Sequence, residues 1–184
     1  DFVVIDARAG KPAAGVAISA AQAAAIADRR TGVGCDQFIV IEDAPAEDGG
    51  ETDAFMRIRN ADGGEVDACG NATRCIGAVL LAETGKDTVL IRTAADLLTV
   101  TGAGYGLVTV DMGVPRIGWQ DIPLNAEADT LHLALESGPL SDPAAASMGN
   151  PHATFFVDDA EGTPISVLGP ALENDPMFPE RANI

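Results

Sequence analysis

One cysteine lies in a stretch of sequence that could hold a reactive thiol. Gly70 and Asn71 follow Cys69, and apolar residues then recur at helical spacing from Ala72 to Thr84. A cysteine directly before a helix faces the free N–H groups of the first turn and the positive end of the helix dipole. This environment favours the thiolate, and the same N–H groups can bind an anion such as a carboxylate. The pattern predicts a base and a carboxylate site side by side.

The elements around Cys69 are expected to hold it inside a folded domain. The helix of residues 72–84 is apolar on nearly all sides, which is typical of a buried helix, and Gly85 is expected to end it. The polar turn at residues 61–64 predicts a hairpin that leads towards Cys69. A lone cysteine is most often a small buried apolar residue, and we expect that role for Cys35 and Cys75. A buried structural cysteine does not need Gly and Asn after it, which favours chemistry at Cys69.

The rest of the chain alternates strand and helix patterns around a boundary at residues 112–118. Before the boundary, a capping box of Ser19 and Gln22 predicts a helix that ends near Arg30. Strands are predicted there at residues 2–6, 38–42, 55–60, 88–93, 97–101 and 105–111. After it, strands are predicted at residues 131–135, 144–148 and 152–157, and a short helix is predicted from Thr163 and Pro164 to about Gly169. These patterns predict two domains, residues 1–112 and 113–184.

Composition and charge exclude several classes of partner. The chain has 184 residues, a formal net charge of −17 and 47% hydrophobic residues, which together predict an acidic protein with a real core. Such a charge argues against nucleic acid or an anionic membrane as a partner. No apolar run is long enough to span a membrane and no signal peptide is recognisable, so a cytoplasmic protein is expected. The three cysteines do not have the spacing of a zinc site, and no metal is predicted.

Four segments of the chain resemble, in the same order, the motifs of the diaminopimelate epimerase family. NADGGEVDACGNATRC at residues 60–75 closely resembles the first active-site segment of that family. The other three segments are GVGCDQFIVIE at 32–42, MGNPH at 148–152 and FPERANI at 178–184. The resemblance implies an α+β fold, a half-barrel in which an antiparallel sheet wraps around a central helix. Residues 1–112 would form that domain and residues 113–184 the beginning of a second, similar one.

The resemblance implies a reaction that needs no cofactor and uses two thiols. Members of the family interconvert LL- and meso-2,6-diaminopimelate in the biosynthesis of lysine and peptidoglycan precursors, and Cys69 matches the first of their two catalytic cysteines. The second belongs to a later segment that lies outside these residues. We therefore expect the chain to be a fragment that also lacks the extreme N-terminus, and to be inactive alone.

Further residues match family positions that contact the substrate, a small amino acid. Asn60, Asn150 and Asn183 resemble asparagines that bind its two amino-acid ends, and Gln37 resembles a binding glutamine. Gly70 and Asn71 are expected to offer backbone amides to the reacting carboxylate. His152 resembles an auxiliary histidine near the catalytic cysteines. The resemblance also allows a homodimer.

Three alternative functions stay open at this point. A proline or hydroxyproline racemase of the same superfamily would share the thiol chemistry, but the asparagines suit a longer substrate with a second amino-acid end. A non-catalytic binding half is a second alternative, although the intact Cys69 argues against it. A thiol hydrolase that uses Cys69 and His152 is the third, and nothing in the sequence marks a leaving-group site for it.

Overall fold

The chain folds into two compact units. A computed structural model describes residues 1–184, which divide into unit 1, Asp1–Met112, and unit 2, Gly113–Ile184. Helices and strands both contribute, and the predicted α+β class is confirmed. None of the helices combines the length and the apolar character that crossing a membrane requires.

Unit 1 is one seven-stranded sheet with two helices and a short 3-10 helix at Ala46–Asp48. In chain order its elements are β1 (Phe2–Asp6), α1 (Ala20–Ala27), β2 (Gln37–Glu42), β3 (Ala54–Asn60), β4 (Glu65–Val66), α2 (Gly70–Thr84), β5 (Thr88–Arg92), β6 (Leu97–Gly104) and β7 (Leu107–Asp111). The strand order is β1-β2-β3-β5-β6-β7, and β4 pairs with β3. The capping box of Ser19 and Gln22 is present at the start of α1, and the predicted hairpin joins β3 to β4.

The sheet is mixed, so the expectation of a wholly antiparallel sheet is wrong in two places. β1 pairs with β2 in parallel, and β3 pairs with β5 in parallel. Parallel neighbours need a crossover connection, and α1 and α2 supply the two crossovers. The other pairs, β2–β3, β3–β4, β5–β6 and β6–β7, are antiparallel. In each of the two parallel pairs, a helix lies between the paired strands along the chain.

Both faces of the sheet are covered, each by one helix. Ile39 and Ile41 of β2 belong to the core that packs on α2, whereas Phe38 and Val40 belong to the core that packs on α1. Alternate residues of a strand point to opposite faces, so the four central residues of β2 are apolar and buried, while its ends, Gln37 and Glu42, are polar. The strand predicted at residues 38–42 therefore lies between the two helices.

Helix α2 buries only one side, and the prediction of a helix buried all round is wrong within unit 1. Its buried residues are Ala72, Thr73, Ile76, Gly77 and Leu80. The opposite side is open because β1 and β7 are the edges of the sheet and do not meet over the helix. A groove of about 420 Å³ runs there, lined by Asp1, Phe2, Asn71, Arg74, Cys75, Ala78, Gly106, Leu107 and Val108. Cys75 was expected to be a core residue but is exposed, whereas Cys35 is buried as expected.

Helix α1 ends at Ala27, earlier than the predicted end near Arg30. Asp28 has an extended backbone, with φ −61° and ψ 121°. Its carboxylate accepts hydrogen bonds from the backbone N–H groups of Arg30 and Thr31 at 2.8 and 2.7 Å. A short polar side chain that binds nearby backbone in this way competes with helical hydrogen bonding and ends the helix.

Unit 2 contains two small hairpins and one helix around its own core. The elements are β8 (Glu136–Ser137), β9 (Leu140–Ser141), β10 (Ala144–Ser147), β11 (Pro151–Thr154) and α3 (Ile165–Glu173). The predicted strands at 144–148 and 152–157 correspond to β10 and β11, which pair antiparallel. The strand predicted at 131–135 is wrong. Leu133 and Leu135 alternate because both are buried in the core, while the segment itself is irregular.

Helix α3 continues to Glu173, so the predicted end near Gly169 is wrong. Pro170 lies inside the helix, where a proline normally breaks it. Leu172 follows Pro170 and is 2% exposed in the core of unit 2. Burial of the Leu172 side chain outweighs the helix-breaking tendency of Pro170, since packing of an apolar face supplies most of the stability of a short helix.

A cluster of charged residues joins the end of β1 to the end of α2 and predicts a loss of stability in acid. The Arg8 guanidinium lies 2.6 Å from Asp6 and 2.7 Å from Glu83, and Lys11 lies 2.6 Å from Glu83. The hydrogen bond from Arg8 lowers the pKa of Asp6, and hydrogen bonds from Lys11 and Arg8 lower the pKa of Glu83. Carboxyl groups with a lowered pKa stabilise the fold at neutral pH, and this stabilisation is lost as the pH falls below about 4.

Urea unfolding at a series of pH values would check this expectation. Asp6→Asn should lower the free energy of unfolding at pH 7 and flatten its fall between about pH 5 and pH 3. Asp87→Asn removes the same charge at an exposed position outside the cluster and should leave the profile of the wild type nearly unchanged. Identical profiles for the two variants would contradict the assignment.

Candidate active site

Cys69 lies at the amino end of α2, where the sequence predicted it. It is the N-cap residue, with an extended backbone at φ −152° and ψ 106°. Its Sγ atom accepts a hydrogen bond from the backbone N–H of Ala72 at 3.4 Å. The residue is half-buried and packs against the core that surrounds α2. The sulfur therefore lies in the field of the helix N-terminus, which favours negative charge there.

Two backbone N–H groups beside the sulfur are left for a ligand. In the first turn, the N–H of Ala72 points to the sulfur, and the N–H of Thr73 donates to the Cys69 carbonyl at 2.9 Å. The N–H groups of Gly70 and Asn71 have no acceptor within the helix, as is general for the first turn. Backbone amides in this position bind carboxylates and phosphates well. The predicted combination of base and anion cradle is therefore geometrically available.

Two residues that the sequence analysis missed contact this turn. The space on the Cβ side of Gly70 is occupied by Met112, whose Sδ atom would lie 3.4 Å from an added Cβ. That is ordinary contact, so Met112 covers this side of Gly70. The buried Thr73 hydroxyl donates to the Cys69 carbonyl at 2.9 Å and helps to hold the cap. Met112 lies outside the four family-like segments, and Thr73 lies inside one of them without an assigned role, so only the folded chain reveals these contacts.

Gln37 and Asn60 form one pair on the sheet. They are register partners at the ends of β2 and β3, and Gln37 Nε2 donates to Asn60 Oδ1 at 3.1 Å. Both share the strand face of Ile39 and Ile58, which is the face covered by α2. Because the Asn60 oxygen is used by Gln37, its Nδ2 group is the part available to donate to a ligand.

The three remaining predicted residues come together in unit 2. The His152 ring Nε2 lies 3.0 Å from the Asn150 side-chain oxygen, and His152 forms a parallel bridge with Asn183. Asn183 also donates through Nδ2 to the Pro151 carbonyl at 3.0 Å. Burial lowers the pKa of His152 and so favours the neutral ring, which in the tautomer with the proton on Nε2 donates to the Asn150 oxygen. His152 and Asn183 line an apolar groove of about 300 Å³.

None of these residues belongs to a metal centre. In residues 1–184 no group of three or more His, Cys, Asp or Glu side chains is placed to hold a metal ion. The polar side chains described above are amides in unit 1, at Gln37 and Asn60, and amides around a histidine ring in unit 2, at Asn150, His152 and Asn183.

Comparison with known proteins identifies the family. The family model described as diaminopimelate epimerase matches residues 1–118, and the chain belongs to this family. Proteins named diaminopimelate epimerase from Acidiphilium cryptum and Rhodospirillum centenum are 57% and 48% identical to it over its whole length. A third such protein, from Erythrobacter litoralis, is 46% identical. The chain spans 63%, 61% and 63% of these three relatives, about three fifths of their length.

The likeness to solved structures is weaker. A structure described as a predicted epimerase from Pseudomonas aeruginosa is 19% identical, with 91% of this chain and 61% of that chain covered. Its TM-score is 0.47, too low to support an argument about fold or function. The roles of the individual site residues stay predictions.

Proposed function

We propose that the whole protein to which these residues belong is a diaminopimelate epimerase. It would interconvert LL- and meso-2,6-diaminopimelate without a cofactor and so contribute to lysine and peptidoglycan precursor biosynthesis. The observation that carries the proposal is the position of Cys69, a half-buried thiol that caps a helix in a chain of this family. A reducing cytoplasm, where a catalytic thiol persists, suits this role.

The first half of the proposed reaction uses the groups at the start of α2. The Cys69 thiolate removes the proton from the α-carbon of the substrate, and the S–H bond forms as the C–H bond breaks. The electron pair left on the α-carbon spreads into the adjacent carboxylate. The N–H groups of Gly70 and Asn71 would donate to that carboxylate and stabilise the developing charge, which is the main need of a reaction without a cofactor.

The second half requires a proton donor on the other face of the α-carbon. Inversion means that the proton returns from the side opposite to the one from which it left. A second thiol supplied by residues outside 1–184 would give its proton there and become the thiolate. The pair of thiols then stands ready for the reverse reaction, with one proton lost and one gained.

The amide side chains would bind the ends of the substrate. Gln37 and Asn60 share a side-chain hydrogen bond of 3.1 Å. Asn150 and Asn183 both contact His152. Amides supply both donors and acceptors without a charge, so they can match ammonium and carboxylate groups together. A substrate with two amino-acid ends would use more of these amides than proline could.

Incorporation of deuterium at the α-carbon in heavy water tests the proposal. The whole protein should exchange the α-hydrogen of diaminopimelate and convert the LL isomer to the meso isomer, while proline should remain unlabelled. Residues 1–184 alone should show little or no exchange, because one of the two proton-transfer groups is missing. Exchange on proline only would indicate a racemase, and no exchange with either substrate by the whole protein would indicate a binding role.

A further inference from the structure

The tight turn between β3 and β4 contacts the start of α1 on one side and the Arg59 side chain on the other. Within the turn, the N–H of Asn60 donates to the Gly64 carbonyl and the N–H of Gly63 donates to the Asn60 carbonyl, both at 2.8 Å. Gly63 has φ +86°, and an added Cβ would lie 2.2 Å from the carbonyl oxygen of Ala20. The turn therefore packs directly on the start of α1, with no room for a side chain at Gly63.

Arg59 supplies the other contact. Its Nη1 donates to the Gly63 carbonyl at 3.0 Å, and its Nη2 lies 3.3 Å from Glu65. The side chain is only 15% exposed, and its Nε is buried without a partner. A buried donor without an acceptor costs stability. Such a cost is typical of places where a geometry serves function rather than stability.

Arg59 and Asn60 point to opposite faces of β3. Arg59 pairs with Phe38, whose side chain belongs to the core on the α1 side. Asn60 shares the α2 side with its partner Gln37. The guanidinium therefore holds the turn from the side away from the predicted substrate contacts and cannot itself belong to them.

We propose that Arg59 is a positioning residue that fixes the turn at residues 61–64 and, through it, the side-chain amide of Asn60. Substrate binding then depends on Arg59 although the residue does not touch substrate. This inference rests on the proposed function, because it takes Asn60 as a substrate contact. The same strand provides a comparison, since Arg57 lies on the same face and binds Glu42 and Glu65 but makes no contact with the turn.

Kinetics of the whole protein with Arg59→Met and the control Arg57→Met tests this role. Arg59→Met should raise KM for diaminopimelate about tenfold and change kcat less than about twofold, since a lost positioning contact weakens binding more than chemistry. Arg57→Met should leave KM within about twofold of the wild type, because it removes only partly exposed ion pairs. Arg59→Lys keeps one donor near the Gly63 carbonyl and should recover part of the loss.

Two further measurements separate positioning from a general loss of structure. Combining Arg59→Met with Asn60→Ala should raise KM no more than Asn60→Ala alone, because Arg59 acts through that amide. Hydrogen exchange of the amides at residues 60–64 should accelerate in Arg59→Met and not in Arg57→Met. Equal KM values for the two arginine variants, additive effects in the double variant, or unchanged exchange would each overturn the proposal.

The outcomes also distinguish this inference from the proposed function. If the whole wild-type protein shows no exchange at the α-carbon of diaminopimelate, the proposed function fails, and binding of substrate by Asn60 fails with it. Hydrogen exchange of the turn would then still decide whether Arg59 holds it. If the wild type is active and only the arginine comparison fails, the positioning role alone is wrong.

Discussion

Replacement of Cys69 by serine is expected to lower epimerase turnover of the whole protein by about 10³-fold or more. A serine hydroxyl remains protonated near neutral pH, so it cannot remove a proton from a weakly acidic α-carbon. The helix itself should survive, because serine is a better N-cap than cysteine and can accept the same hydrogen bond from the Ala72 N–H. The variant therefore removes the base and leaves its surroundings folded.

Cys75→Ser is the matched control for this experiment. Cys75 lies on the same helix but is exposed on its open side, and its replacement should leave turnover within about twofold of the wild type. Deuterium incorporation at the α-carbon measures both variants, and the thermal midpoint shows that each is folded. If Cys69→Ser retained a tenth or more of the wild-type rate, a base other than this thiol would be required.

A larger side chain at Gly77 is expected to give the largest loss of stability, about 3 kcal/mol for Gly77→Val. Gly77 is buried in the middle of α2, where the helix crosses β6. An added Cβ would lie 2.4 Å from Val100 Cγ1 and 3.0 Å from Val100 Cβ. Contacts this short force α2 away from the sheet, and tightly packed cores resist such a movement.

Ala82→Val provides the control, because it places the same new side chain on the exposed side of the same helix. It should cost only the difference in helix propensity, about 0.5 kcal/mol. Urea unfolding of the whole protein would measure both variants. Adding Val100→Ala to Gly77→Val should recover part of the loss by making room. A loss for Gly77→Val no larger than for Ala82→Val would show that the packing of α2 on β6 is looser than described.

Local signals predicted the parts of the site that depend on neighbouring residues. Cys69 caps α2 because polar turn residues precede it and a helix-forming run follows it, and both are readable within residues 60–84. The capping box of Ser19 and Gln22 and the hairpin from β3 to β4 are equally local. In each case the hydrogen bonds that define the feature join residues only a few positions apart.

Features that depend on distant residues could not be predicted in this way. The open side of α2 and the exposure of Cys75 follow from where the sheet stops, at the edges formed by β1 and β7. Helix α3 continues through Pro170 because Leu172 is buried. The false strand at 131–135 had alternating apolar residues because two of them reach the core from an irregular backbone. A pattern of apolar residues indicates which side chains are buried and does not specify the backbone that carries them.

The amino-acid sequence alone determined the family, the α+β class and the thiol at the start of α2, because motifs, composition and capping act over short stretches of chain. Tertiary structure alone decided that Gln37 binds Asn60 and that Met112 covers Gly70. Strand pairing and helix packing make these contacts, and they join residues that lie more than twenty positions apart along the chain. Which side chains come into contact over such distances depends on the whole fold.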